Sequence, residues 1–351
     1  MTINELPKLS KNEMENLFKQ SKRRSFVFML FTLLWAAFCI WQYFTTSNLI
    51  FKKSLFAFFC IALGLWFIVI VGQLLLYKLV STKLSKCNDA LIGKFTIEEI
   101  RLLIDEVFKV SLINEKPELY IVDLDLVNAF VINIYLLNFI SPANAVYITK
   151  KSFSCLTREE IKSMLFHEMG HFNKYMYDEN KILNIGLYLF IVMPFAFTIL
   201  IPGVLLKVGF VIIAIVAIGI IWVKIRSYKN YDKHVLEYLC DLYASEKEGL
   251  LTTINMLITL AKESVVSDEK DKNNITKKIA MPVKRFVVDW TVFDTHIVNG
   301  KIELEEFPKM IETLEKFENP QLVNHSAIDH NSNSHPSLTN RILFLTRNSK
   351  P

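Results

Sequence analysis

His167 and His171 stand four residues apart with Glu168 beside the first of them, in the run His167-Glu168-Met169-Gly170-His171. On an α-helix that spacing puts two imidazoles one turn apart on one face, where both can reach a single metal ion. Zinc held by three protein ligands keeps its fourth position for water and lowers the pKa of that water to about 7. A carboxylate beside the first ligand, as Glu168 is, can take the water's proton and later deliver it to a leaving amine. The chemistry would be metal-assisted peptide hydrolysis. The preceding residues favour a helix. Thr157 can cap it and Glu160, three residues later, completes a capping box. Ile161, Met164, Leu165 and Phe172 then follow at helical spacing. Gly170 keeps the helix surface slim near the metal, at some cost in helix propensity. An HExxH run also arises by chance on amphipathic helices, so a third ligand has to be found before the motif decides anything.

Glu237-Tyr238-Leu239-Cys240-Asp241 offers one. Val235, Leu236, Leu239, Leu242 and Tyr243 give this stretch a helical apolar face, and Glu237 and Asp241 again lie four apart. Glu237 is a candidate ligand. Asp241 is a candidate acceptor for the free imidazole N–H of a ligand histidine, which would fix its tautomer. Taken alone, the two acids read equally as an exposed acidic pair. Cys240 is a competing ligand that projects from a different face, and His234, one turn before Glu237, is a reserve.

The elements that must bring these residues together are unusual for a soluble chain. Of the 351 residues 52% are hydrophobic and 21% charged, at the top of the apolar range and low in charge. Four apolar runs, roughly 26–44, 55–79, 185–201 and 208–223, approach the ~20 residues needed to span a bilayer. The first carries no charge, and Pro202 and Gly203 turn the last two into a helical hairpin. Lys19, Lys22, Arg23, Arg24, Lys83, Lys86, Lys224, Arg226, Lys229 and Lys233 flank one side of the spans. Lys52, Lys53 and Lys207 fall on the other. The bias puts both termini and the soluble segments in the cytoplasm. The net charge of +5 is modest for so many charged groups and gives no support to nucleic-acid binding. The five cysteines are odd in number, scattered and without a CxxC pair, which fits a reducing compartment better than a disulfide framework. The polar start of the chain lacks the pattern of a cleaved signal, so the first run reads as a retained anchor. Between the second and third runs, 102–108 fits a helix face, and Leu119 to Val122, Ala129 to Ile132 and Val146 to Ile148 fit short strands. Beyond the fourth run the chain reads as mostly helical, with polar loops at 267–278 and 324–334.

HEMGH followed by a hydrophobic hairpin and then Glu-x-x-x-Asp resembles the M48 family of membrane metallopeptidases, which includes the HtpX heat-shock proteases and the CAAX prenyl endopeptidases. Asn128-Ala129-Phe130 is similar to the family's Asn-Ala-Phe segment, and His335-Pro336 with Arg341 to its C-terminal His-Pro…Arg element. The likeness covers roughly 85–345, and four spans look more like HtpX than like the prenyl endopeptidases. The resemblance implies that His167, His171 and Glu237 bind one Zn2+, that Glu168 is the general base, and that Asp241 supports a ligand. It implies that Asn128, Ala129 and Phe130 lie on an edge strand that pairs with extended substrate. It further implies that His335 or Arg341 stabilises the oxyanion or orders the cleft. The residues after Phe130 are bulkier than the family pattern, which bears on substrate preference, and Cys240 stands where the family often has Ala.

The expected protein is mainly α and membrane-embedded. It has four transmembrane helices plus a cytoplasmic α+β zincin-type (gluzincin) catalytic domain with a small β-sheet. The expected boundaries are an N-terminal segment at 1–24, hairpins at 25–80 and 183–224, and catalytic parts at 81–182 and 225–351. The expected partners are a lipid bilayer and a membrane-associated or misfolded polypeptide substrate, with no nucleic acid. Abundant Lys, Ile, Asn and Phe point to an AT-rich genome, and the expected setting is a bacterial plasma membrane. Two other readings stay open: a CAAX-type prenyl-protein endopeptidase, which the span count disfavours, and a non-catalytic membrane regulator, which the complete set of motif residues disfavours. A transporter is weaker, because the spans hold almost no ionisable residues.

Overall fold

A computed structural model describes residues 3–111, 117–133, 144–175, 194–270, 295–298, 300–317 and 336–349. In chain order the elements are α1 (Lys11–Thr45), α2 (Leu49–Val80), β1 (Ser81–Lys83), β2 (Leu91–Ile92), β3 (Phe95–Thr96), α3 (Ile97–Val110), β4 (Glu118–Val122), β5 (Ala129–Asn133) and β6 (Asn144–Thr149). There follow α4 (Lys150–Cys155), α5 (Arg158–Met169), a π turn (Gly170–Lys174), α6 (Pro194–Phe197), α7 (Val204–Glu248), α8 (Leu250–Lys270), α9 (Phe307–Phe317) and α10 (Leu338–Asn348). The chain divides into two compact units, one of Met1–Leu17, Leu76–Met176 and Asn230–Pro351, the other of Phe18–Leu75 and Tyr177–Lys229.

The second unit holds the apolar runs. Three described helices, within α1, α2 and α7, are long and apolar enough to cross a membrane. Their outer faces are inverted relative to a soluble protein: Phe26, Leu34, Ile68, Ile213 and Val223 are each at least 60% exposed. Surface of that kind is costly in water and favourable in hydrocarbon, while the helix satisfies its own backbone groups. The third expected span, 185–201, starts outside the described residues at 185–193, and its end forms α6 and a 3-10 turn at Thr198–Leu200. Gly203 sits at φ +76° immediately before α7, a left-handed conformation that suits glycine. Cys39, Phe51, Leu55, Ala62 and Ala196 form this unit's small core. The ring of Phe197 packs on those of Trp35, Phe38 and Phe51 at 5.2–6.0 Å.

The first unit is a four-stranded sheet with helices, its strand order β1-β4-β6-β5. β4 pairs parallel with β6, whereas β1 and β5 pair antiparallel with their neighbours, so β5 is an edge strand. The three expected strands are present as β4, β5 and β6. β1 is not legible beforehand, because three residues are too few to show alternation. In α3, Leu103, Ile104, Val107 and Phe108 are buried and Leu102 is 56% exposed. Thr96 and Glu99 form a reciprocal capping box at its start. Ser163 of α5 meets Thr253 of α8 at 2.9 Å between their hydroxyl oxygens. The Asn255 side chain both accepts from the Ile302 N–H and donates to its carbonyl, pinning the chain after 298 onto α8. The polar N-terminal segment is structured as well. Leu6 and Met14 are fully buried, the Lys11 N–H donates to Asn348 Oδ1 at 2.6 Å, and Asn348 Nδ2 donates to the Leu9 carbonyl at 3.0 Å.

Candidate metal centre

The motif helix starts as its sequence dictates. Thr157 Oγ1 accepts from the Glu160 N–H, and Glu160 Oε2 accepts from the Thr157 N–H at 2.8 Å. The second Glu160 oxygen receives Lys301 at 2.7 Å, which ties the helix start to the chain after 298. α5 then carries Ile161, Met164, Leu165 and Phe166 into the core and delivers His167 and Glu168 to a buried position. The expectation of one unbroken α-helix is modified at its end. From Gly170 to Lys174 the helix widens into a π turn, closed by the Tyr175 N–H donating to the Gly170 carbonyl at 2.8 Å. Such local widening is frequent at functional sites.

Gly170 has a specific neighbour. A Cβ added there would lie 2.9 Å from Cys240 Sγ and 3.2 Å from its Cα. Glycine therefore lets α5 approach α7 closely enough for the side chains on the two helices to meet. Cys240 is fully buried in this contact, packing rather than ligating. Gly170→Ala is expected to destabilise the protein by about 1–3 kcal/mol through overpacking. Cys240→Ala in the same chain should return part of that loss, and a double-mutant cycle on thermal unfolding measures the coupling.

His167 Nε2 and His171 Nε2 lie 3.0 Å apart. Glu237 Oε2 is 3.5 Å from His167 Nε2, and Glu237 Oε1 is 3.5 Å from His171 Nε2. These three are the described group of His, Cys, Asp or Glu residues spaced to share an ion. Ligand atoms about 2.0–2.2 Å from a tetrahedral zinc stand roughly 3.3–3.6 Å from one another. Two imidazole nitrogens and a carboxylate, with one ligand atom from each residue within 4.8 Å of the others, make a donor set that suits zinc. His234, the reserve ligand, is buried but does not belong to the group.

Behind the triad is a chain of charges. Asp241 Oδ1 lies 2.9 Å from His167 Nδ1, the nitrogen that points away from the cluster. Asp241 in turn accepts two hydrogen bonds from Arg341, from Nε at 2.6 Å and from Nη2 at 2.5 Å. The same Nη2 reaches Glu237 Oε2 at 3.5 Å. Asp241 and Arg341 are both buried, so each guanidinium and carboxylate edge compensates a charge that would otherwise be costly. Burial opposes protonation of His167, but Asp241 and Glu237 outweigh it and raise its pKa to about 9. The field of this pocket thus favours positive charge. Burial likewise opposes the Arg341 charge, yet Asp241 and Glu237 hold its pKa above the ordinary range. Asp241→Asn removes the carboxylate facing His167 and the anchor of Arg341. It should weaken zinc binding ~10–100-fold, the usual effect of losing a ligand's outer partner, as measured by competition with a fluorescent chelator.

A cleft opens beside these residues, lined by Asn128, Ala129, Met164, His167, Glu168, Glu237, Met256, Leu260 and Arg341. It is bounded by the start of the edge strand β5. The Asn128 N–H donates to Thr149 Oγ1 and Ser152 Oγ, both at 3.1 Å, and its carbonyl accepts from the Thr149 N–H at 3.0 Å, so this end of the strand is held firmly. The structure therefore brings together Asn128, Ala129, His167, Glu168, His171, Glu237, Asp241 and Arg341. Phe130 is not among the residues lining the cleft. Its ring stacks on Tyr147 at 4.9 Å, as the alternation of side chains along a strand requires. His335 lies outside the described residues. Met256 and Leu260 were not anticipated. They sit on α8 on the side opposite Ile254, Leu257, Ile258 and Ala261, and apolar residues on both sides of one helix were the available signal.

The sequence model of peptidase family M48 matches residues 96–349, from the cap of α3 through the whole of α10. A search of curated proteins and of solved structures gave no match. The matched range contains the HExxH helix, Glu237 and Arg341 and covers more than half of the 351 residues. The chain belongs to peptidase family M48.

Proposed function

We propose that this metallopeptidase is an integral-membrane zinc endopeptidase acting on membrane-associated or misfolded proteins. The observation that carries the reading is the grouping of His167, His171 and Glu237 beside the buried Glu168, in a cleft bounded by the first residues of an edge strand. His167, His171 and Glu237 would hold one zinc ion, and family members are generally zinc-dependent. When bound, zinc supplies Lewis-acid polarisation and a water more acidic than bulk. An extended substrate would lie along β5, which pairs on one side only among the described residues and so offers backbone groups for strand addition. Glu168 takes a proton from the water as it adds to the scissile carbonyl carbon, then passes that proton to the amide nitrogen as the C–N bond breaks. Asp241 orients His167, and Arg341 acts as a positioning residue through Asp241 and Glu237.

The membrane part of the reading rests on the apolar helices and on sequence. The fourth apolar run ends at Val223, and Glu237 follows fourteen residues later on the same helix, α7. Four spans, with both termini and the active site on the cytoplasmic side, fit the distribution of Lys and Arg. Single cysteines introduced beside Lys52 and Lys207 in a cysteine-free background should react with an impermeant maleimide added outside intact cells. Protection at both sites overturns this orientation.

Substrate class is tested by offering the purified, zinc-loaded chain an unfolded polypeptide and a prenylated peptide in parallel. Cleavage of the unfolded polypeptide supports the reading. Cleavage confined to the prenylated peptide replaces it with CAAX-type processing.

A further inference from the structure

The α1–α2 hairpin contains an apolar pocket of about 300 Å3, well away in sequence from the metal ligands. Trp35, Ala36, Cys39, Ile40, Tyr43 and Phe44 of α1 face Leu55, Phe56 and Phe59 of α2 across it. The pocket is at the lower end of the volumes that hold small ligands. Its lining has almost no polar surface, so a ligand must be hydrocarbon where it is enclosed. Along α1 the lining runs from Trp35 to Phe44, which at ~1.5 Å per residue is about 14 Å. Half of a ~30 Å hydrocarbon core is about 15 Å. The pocket therefore has the depth of one leaflet, measured inward from the loop between α1 and α2.

Charge marks the loop end. Lys52 is half-buried there, with Nζ 5.9 Å from the centroid of the Tyr43 ring that lines the pocket, and Lys53 beside it is exposed. Both lie in the first turns of α2, which Asn48 caps by accepting from the Phe51 N–H at 3.1 Å. The Lys52 ammonium beside the slot, with Lys53 next to it in sequence at the positive end of the helix, complements a phosphate joined to a hydrocarbon chain. Trp41 and Tyr43 lie in the last turns of α1, where aromatic side chains would mark a membrane interface.

We propose that the loop end of the α1–α2 hairpin binds one anionic phospholipid, with an acyl chain between Trp35 and Phe59 and its phosphate at Lys52 and Lys53. This rests on the membrane part of the proposed function and is independent of the peptidase chemistry. A resident lipid would fill the slot between the two helices and fix their spacing at that end.

The test uses the full-length chain purified in detergent and a phosphatidylglycerol carrying a diazirine in its acyl chain. After irradiation, adducts are mapped by peptide mass spectrometry. The expected result is labelling concentrated in peptides from 35–59, competed by unlabelled phosphatidylglycerol at least fivefold better than by phosphatidylcholine. Ala36→Trp, which fills the slot, should reduce that labelling at least fivefold. Lys52→Gln with Lys53→Gln should abolish the preference for phosphatidylglycerol while the chain remains labelled. Variants are compared only as monodisperse samples, and Ala36→Leu replaces Ala36→Trp if the larger side chain prevents folding. Labelling spread evenly over α1, α2 and 204–223, or unchanged in the filled variant, overturns the pocket. Equal competition by phosphatidylcholine overturns the anionic assignment. Resistance of the native protein to carbonate extraction from membranes, measured alongside, is lost only if the membrane reading itself is wrong.

Discussion

Glu168→Gln is expected to reduce peptide cleavage ~100–10,000-fold, the range contributed by a positioned acid–base group, while leaving bound zinc at one ion per chain. Glu168 lines the cleft and is 4% exposed, but it is not part of the triad. Glutamine keeps its shape and removes its ability to accept and return a proton, so binding and chemistry should separate. Turnover on an unfolded polypeptide and zinc content by mass spectrometry are the two readings. Full activity in the variant would remove Glu168 from the mechanism, and loss of zinc would show that its role is structural.

Glu237→Ala is expected to have the second largest effect, on the metal itself. Glu237 is the carboxylate whose oxygens lie 3.5 Å from both imidazoles, and its partner Arg341 would keep a buried charge with one acceptor fewer. Zinc affinity should fall by more than the ~10–100-fold that follows loss of an outer partner, and activity should fall with it. Unchanged zinc retention in competition with a chelator would shift the third-ligand role to His234, buried one turn earlier on the same helix.

Those residues were legible because their signals are local. The His167–His171 spacing, the Thr157–Glu160 box and the Glu237–Asp241 pair all repeat within one or two helical turns, and a single helix suffices to express them. The three strands, 118–122, 129–133 and 144–149, were legible as short runs rich in apolar, β-branched and aromatic residues. What could not be read from spacing was long-range. Asp241 and Arg341 are 100 residues apart, and their double hydrogen bond depends on α10 docking against α7. Arg341 entered the sequence reading through a family likeness, and its geometry favours ordering of Asp241 and Glu237. The Gly170–Cys240 contact was equally hidden, since neither residue signals its partner, although the cost of a glycine in a helix hinted that something required it. The N-terminal segment read as a polar flank because its anchors, Leu6 and Met14, are too sparse to form a periodic face. Its burial depends on α10 at the other end of the chain.

The central claim, that this M48 peptidase works through a metal held by His167, His171 and Glu237, is tested most directly by metal removal and return. The purified full-length protein is assayed on an unfolded polypeptide before chelation, after chelation and after addition of one equivalent of zinc. Cleavage should disappear with the metal and return with zinc in the wild type, and should not return in Glu237→Ala. Cleavage that persists in fully chelated protein, or that zinc restores equally in the variant, would contradict the account.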